Sequence, residues 1–119
     1  MVRHQAWDDI PKEELSPTIL RRIVNGEKVM IAIVDLKKGA VVPMHSHDSE
    51  QITYVISGWL RFTMEDDSVI DVKGGDTLVI PSNVGHAAEA LEDTVDLDAF
   101  SPIRQDWLDG DDAYLRGGE

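Results

Sequence analysis

Hydrophobic and polar residues alternate along most of this chain. Residues 51–57 put Ile52, Tyr54 and Ile56 on one side and Gln51, Thr53 and Val55 on the other. Residues 94–100 separate Val95, Leu97 and Ala99 from Asp96, Asp98 and Phe100 in the same way. A period of two marks a β-strand, because successive side chains point to opposite faces. Similar runs predict strands over 21–24, 27–36, 59–65, 68–72, 77–80 and 87–90. Turn residues divide them: Asn25-Gly26, Lys37-Lys38-Gly39, Glu65-Asp66-Asp67, Lys73-Gly74-Gly75-Asp76, Ser82-Asn83-Val84-Gly85 and Glu92-Asp93. Asn-Gly between apolar runs is a strong hairpin signal. Many short strands at regular spacing, with no long helical pattern, predict an all-β sandwich or barrel.

The ends read differently. Residues 1–20 form an irregular segment. One helical turn is expected within 8–15, with Pro11 at its first position, and Ser16-Pro17 breaks it. A second helical turn is expected after the last strand, with Ser101 as cap, Pro102 as first residue and Gly110 as stop. The tail 109–119 is polar and glycine-rich and is expected to fray. The 119 residues suit one domain, 1–119.

The two strands with the clearest alternation pose a problem. A sheet covered on one side only would bury Ile52, Tyr54 and Ile56 and leave Gln51 and Asp98 in water. Covering both faces resolves it: one lines a polar cavity, the other packs on a second sheet or a second subunit. The second possibility predicts a homodimer.

Composition narrows the function. The hydrophobic fraction is 42%, enough for a folded core, and the net charge is −12. That balance argues against nucleic acid or an anionic membrane surface as partner. No apolar run approaches the length of a membrane span, and the first residues carry no apolar signal region. There is no cysteine, hence no disulfide, and a cytoplasmic protein is expected.

Candidate chemistry lies in 39–58. His45 and His47 are two apart, so one extended strand would present both imidazoles on one face. Imidazole binds several divalent transition metals. Gln51 shares parity with Thr53 and Val55, and its amide oxygen could return to the same cavity. Glu50 could replace it if the turn holds a bulge. His86 is the candidate for a further donor.

Gly39, His45, His47 and Gly58, followed by Gly75, Pro81 and His86, resemble the two motifs of the cupin superfamily. Gln51 stands where that family usually has Glu, Asn83 where it has Gly, and Ala90 where it has Asn. Glu50–Val55, 80–84 leading into His86, 89–93 and 97–108 are similar to one cupin group, the KdgF-type uronate-opening proteins of pectin and alginate breakdown. The resemblance implies a single-domain, RmlC-like jelly-roll β-barrel. It implies a divalent metal (Ni, Mn, Fe, Co or Zn) on His45, His47, Gln51 and His86. It also implies a small anionic sugar as substrate, a 4,5-unsaturated monouronate converted to its linear keto form. Asp98, Phe100 and Arg104 match the group's catalytic or substrate-binding positions: Asp98 to move a proton, Arg104 to grip the carboxylate, Phe100 to wall one sugar face. Other metal-dependent cupins, such as hydroxynitrile-lyase-like lyases and dioxygenases, and a non-catalytic sugar- or metal-binding cupin, are the alternatives.

Overall fold

The computed structural model describes residues 1–116. Ten strands form two antiparallel sheets: β1 Glu13–Ser16, β2 Ile19–Asn25, β3 Met30–Leu36, β4 Val41–His45, β5 Glu50–Ser57, β6 Trp59–Met64, β7 Val69–Lys73, β8 Thr77–Ile80, β9 His86–Ala90 and β10 Thr94–Ser101. The larger sheet runs β1-β2-β3-β10-β5-β8 and the smaller β4-β9-β6-β7. The only helices among the described residues are short: Trp7–Asp9, α1 at Gln105–Leu108, and Ala113–Leu115. The chain is an all-β jelly-roll barrel, as the strand pattern predicts.

The core between the sheets follows from the alternation. Met30, Ala32, Val34 and Leu36 of β3, Val55 of β5 and Phe100 of β10 face Leu60, Phe62 and Val72 of β6 and β7. Two turn residues show why their types are needed. Gly58 sits at φ 104°, and a Cβ there would collide with Thr94 and the Asp93 carbonyl. Asn83 sits at φ 64°, a left-handed conformation that Asn tolerates where the related motif has Gly.

Four local expectations are corrected. Residues 8–15 do not make a helical turn around Pro11. The turn ends at Asp9, and 13–16 pair with β2 as an edge strand, so 1–20 is less irregular than expected. The 25–30 hairpin closes over four residues, not two: Asn25 pairs with Met30, and the Gly26 amide donates to the Val29 carbonyl at 2.9 Å. Charged Glu27 and Lys28 thereby stay in water and β3 begins at Met30. Ser101 ends β10 instead of capping a helix. The C-terminal helix starts at Gln105, and Gly110, at φ 77°, follows its end.

The tail is the fourth correction. Within 109–116 the chain does not fray, because Asp112 and Leu115 are buried. Asp112 lies between Arg21 at 2.8 Å and Arg116 at 2.7 Å, and Glu13 joins both arginines at 2.8 Å. Polar composition suggested solvent; paired charges put the segment on the barrel instead. The rest of the tail, 117–119, lies outside the described residues. Among the described residues no helix is long and apolar enough to cross a membrane.

Candidate metal centre and its surroundings

Three elements bring the histidines together. β4 ends at His45, after an irregular register between Val42 and His45 where Pro43 has no N–H to donate. His45 pairs in register with His86, the first residue of β9. His47 is not on the strand with His45, as the spacing suggested. It lies in the link to β5, which the Asn83 amide holds by donating to the His47 carbonyl at 2.8 Å. Ser82 Oγ donates to the Asp48 carbonyl at 2.6 Å, fixing the same loop pair. The three rings still converge: their potential ligand atoms lie within 4.8 Å of one another.

Each imidazole is oriented the same way. Nδ1 faces a backbone carbonyl in all three: Pro43 at 2.8 Å for His45, Ser49 at 2.9 Å for His47, Val84 at 2.9 Å for His86. A carbonyl only accepts, so Nδ1 carries the proton and Nε2 keeps its lone pair. Nε2 of His86 is buried and has no hydrogen-bond partner. Burial holds all three imidazoles below their ordinary pKa, His45 down to about 4. They are neutral near pH 7, the form that binds metal.

Gln51 faces the histidine cluster and Glu50 does not. Gln51 is buried on the inner face of β5, whereas Glu50 is exposed. The Gln51 Nε2 donates to Thr53 Oγ1 at 2.9 Å and approaches Asp98 Oδ1 at 3.4 Å. This fixes the amide, so Oε1 faces His47 Nε2 at 3.1 Å. With the tautomer above, two acceptors meet with no hydrogen between them. A cation shared by both relieves that repulsion. Three imidazole nitrogens of borderline softness and one harder amide oxygen fit a divalent transition ion.

Asp98 stands beside this centre. Thr53 Oγ1 donates to its Oδ1 at 2.7 Å. Burial pushes the Asp98 carboxyl up from the usual carboxylate range. Asp96, two residues earlier on the same inner face of β10, is pushed up further, by burial first and by Asp98 second. One Asp96 oxygen is buried with no partner. Phe100 serves both the core and the site: its ring meets His47 edge-on at 5.7 Å and Trp107 at 5.0 Å.

Arg104 is 3% exposed and already engaged. Nε and Nη2 grip the Asp106 carboxylate at 3.0 and 2.8 Å, and Nη2 also donates to the Tyr114 hydroxyl at 2.8 Å. Burial works against its charge, but the Asp106 pair outweighs it and raises its pKa. Nη1 takes no part in these bonds. The fork is reached because Asp106 follows by two residues at the start of α1. The cavity is lined by His45, Gln51, His86, Asp98, Arg104 and Tyr114 at its polar end, and by core residues such as Leu60 and Phe62 at the other.

The structure therefore gathers every residue singled out in the sequence: His45, His47, Gln51, His86, Asp98, Phe100 and Arg104. It adds Thr53, Asp96, Trp107 and Tyr114. Thr53 and Asp96 share strand parity with Gln51 and Asp98, a signal the sequence holds. Tyr114 gives none, since it sits in a polar tail that folds back only through tertiary contacts.

Comparison with known proteins agrees with this geometry. Residues 32–101 match the cupin domain family. The chain is 36% identical over 111 residues to the pectin degradation protein KdgF of Dickeya dadantii, covering 91% of this chain and all of that protein. Among solved structures it resembles KdgF from a Halomonas species, with 33% identity and a TM-score of 0.78, covering 84% of this chain and 94% of that one. An RmlC-like cupin from Shewanella frigidimarina shares the fold at 23% identity and a TM-score of 0.82, covering 90% and 96%. A histidine cluster inside a two-sheet barrel, the matched domain and full-length similarity to KdgF lead to one assignment: this chain is a member of the cupin family, in its KdgF-like group of pectin degradation proteins.

Proposed function

We propose that this cupin converts 4,5-unsaturated monouronates, as released by pectin or alginate cleavage, to their linear keto form. His45, His47, His86 and Gln51 would hold a divalent transition ion. When bound, that ion supplies a Lewis acid for sugar oxygens. The chain's own residues supply the rest. In the reaction the bond between the anomeric carbon and the ring oxygen breaks. The anomeric hydroxyl gives up its proton, and the far carbon of the double bond gains one. No co-reactant is consumed. Asp98, whose carboxyl burial pushes up from the usual carboxylate range and which Thr53 holds, is suited to deliver the proton to carbon. Phe100 shields one side of the cavity, and Arg104 gives an acidic protein a local cation for the substrate carboxylate.

The observation that carries this reading is the meeting of two features: Nε2 lone pairs turned to one point, and a buried Asp98 carboxyl, held by Thr53, beside them. Full-length similarity to a pectin degradation protein supports the substrate class. The test is loss of the enol-ether ultraviolet absorbance when purified, metal-loaded protein meets an unsaturated galacturonate- or mannuronate-derived monouronate. Wild type should consume it, and Asp98→Asn should not, with equal metal content in both. Binding without turnover would favour a non-catalytic cupin. Turnover by Asp98→Asn at the wild-type rate would remove Asp98 from the role.

We further propose that the protein works as a homodimer in the cytoplasm. A cysteine-free acidic chain suits a reducing compartment. The outer face of the larger sheet carries a row of paired apolar residues, Val79, Ile52, Ala99, Ile31 and Val24, across five strands. That row contains no ionisable side chain. In a chain of net charge −12, such a face is where two copies could meet without repulsion.

A further inference from the structure

Tyr114 lies in the short turn Ala113–Leu115, far in sequence from the histidines and ten residues after Arg104. Its ring packs on the His45 imidazole, with centroids 4.7 Å apart at 33°. Its hydroxyl receives two hydrogen bonds, from Arg104 Nη2 at 2.8 Å and from Trp107 Nε1 at 3.0 Å. Guanidinium and indole nitrogens only donate, so the phenol oxygen is the acceptor in both. Both of its lone pairs are then used, one by a cation. The phenolic hydrogen remains, and no acceptor for it is found among the described residues. A phenol that accepts from a cation is a polarised and therefore stronger donor.

The placement is firm. Asp112, two residues earlier, is held by Arg21 and Arg116, and Leu115, one residue later, is buried in the core. Tyr114 itself is half-buried and lines the same cavity as His45, Gln51 and Asp98. The acceptor that best suits a polarised O–H beside a guanidinium is a carboxylate oxygen. We propose that Tyr114 is a substrate-binding residue whose hydroxyl donates to the uronate carboxylate, next to Arg104. This rests on the uronate reading above.

The test separates the two. Titration with saturated galacturonate needs no turnover. Metal-loaded wild type and Tyr114→Phe are each titrated with galacturonate and with its methyl ester. A hydrogen bond to a charged acceptor predicts about tenfold or more weaker binding of the acid by Tyr114→Phe. The methyl ester should bind both proteins alike. In turnover, KM for the unsaturated uronate should rise by a similar factor, kcat should change little and metal content should stay the same. Equal affinity of wild type and variant for the acid overturns the proposal, as does failure of wild type to prefer the acid over the ester.

A structural role is tested with Trp107→Phe/Tyr114→Phe, which removes the indole donor left without its acceptor. The double variant should bind the acid no better than Tyr114→Phe. Recovery of wild-type affinity would make Tyr114 a partner for Trp107 only. Absence of turnover by wild type would defeat the enzymatic reading and leave the binding comparison to judge Tyr114.

Discussion

Arg21 and Asp112 meet at 2.8 Å with almost no water access, 1% and 0% exposed. They join β2 to a segment that begins nearly at the end of the chain. The Arg21 and Arg104 guanidiniums both lie over the Trp107 indole, at 4.6 and 4.7 Å. The pair therefore closes one end of the barrel and sets the wall on which the site rests. Breaking a buried pair from one side strands the other charge. Asp112→Ala should lower unfolding free energy by on the order of 3 kcal/mol, with Glu13 tempering the loss. Urea denaturation of the variant beside wild type measures it. An unchanged midpoint and slope would mean the pair does not hold the tail.

The second prediction concerns Gln51. Its Oε1 faces His47 Nε2, and its Nε2 donates to Thr53, which in turn donates to Asp98. Gln51→Glu puts an anion among the ligands and deletes the donor to Thr53. It also sets a negative charge beside the Asp98 carboxyl. Metal should be held more tightly against a chelator, while turnover of unsaturated uronate falls by about a hundredfold, at the low end of what proton transfer contributes. Chelator competition and the absorbance assay read the two effects separately. Loosened metal in Gln51→Glu would show that Oε1 is not a ligand.

How much of this was legible beforehand differs by region. β8 appears at 77–80 as its apolar run and flanking Gly and Pro indicate, and Gln51 points inward as its parity with Thr53 and Val55 requires. Such features depend on local periodicity. The edge strand β1 does not: Glu13-Glu14-Leu15-Ser16 has little strand character, and its pairing comes from β2. The C-terminal segment is the extreme case. Asp112 and Tyr114 look like solvent-facing residues until Arg21, distant in sequence, and Trp107 and Arg104, beyond the reach of a local pattern, supply their partners. The family resemblance offers Arg104 as the grip for a substrate carboxylate, and the fold gives it a carboxylate partner of its own in Asp106, two residues on.

Two buried groups give opposite pH dependences in the metal-free protein. His45 is held down to about 4 by burial, against an ordinary value of 6.5. Between those values the unfolded chain binds a proton that the folded chain refuses, so stability falls as pH drops from about 6.5 to about 4. Asp96 is pushed up by burial, so the folded state keeps a proton that the unfolded chain releases. Its contribution is present at low pH and is lost as pH rises above the ordinary carboxylate range. His45→Gln should flatten the acid side of the stability profile, and Asp96→Asn should raise stability near neutral pH. Melting temperatures from pH 4 to pH 8, with chelator present, test both. An unaltered acid slope in His45→Gln would refute the first, and a neutral-pH loss in Asp96→Asn the second.

The last prediction follows from the face opposite the site. Ile52, Tyr54 and Ile56 project outward from β5 and are 44%, 40% and 43% exposed, while the alternate residues Gln51, Thr53 and Val55 are buried. On that outer face Tyr54 is flanked by Thr77 of β8 and Leu97 of β10, and Ile33 follows on β3. The inner face of this sheet holds both the core and the polar site, so the apolar row on its outer face is left for another surface to cover. Burial against a second copy would cover it, since each buried large apolar side chain contributes about 1.5–3 kcal/mol. Ile52→Lys introduces a charge within the row, where two copies would bring like charges together. Sedimentation at micromolar concentration should show a dimer for wild type and a monomer for Ile52→Lys, with the fold intact by circular dichroism. A wild-type protein that sediments as a monomer would leave this apolar row without a second copy to cover it.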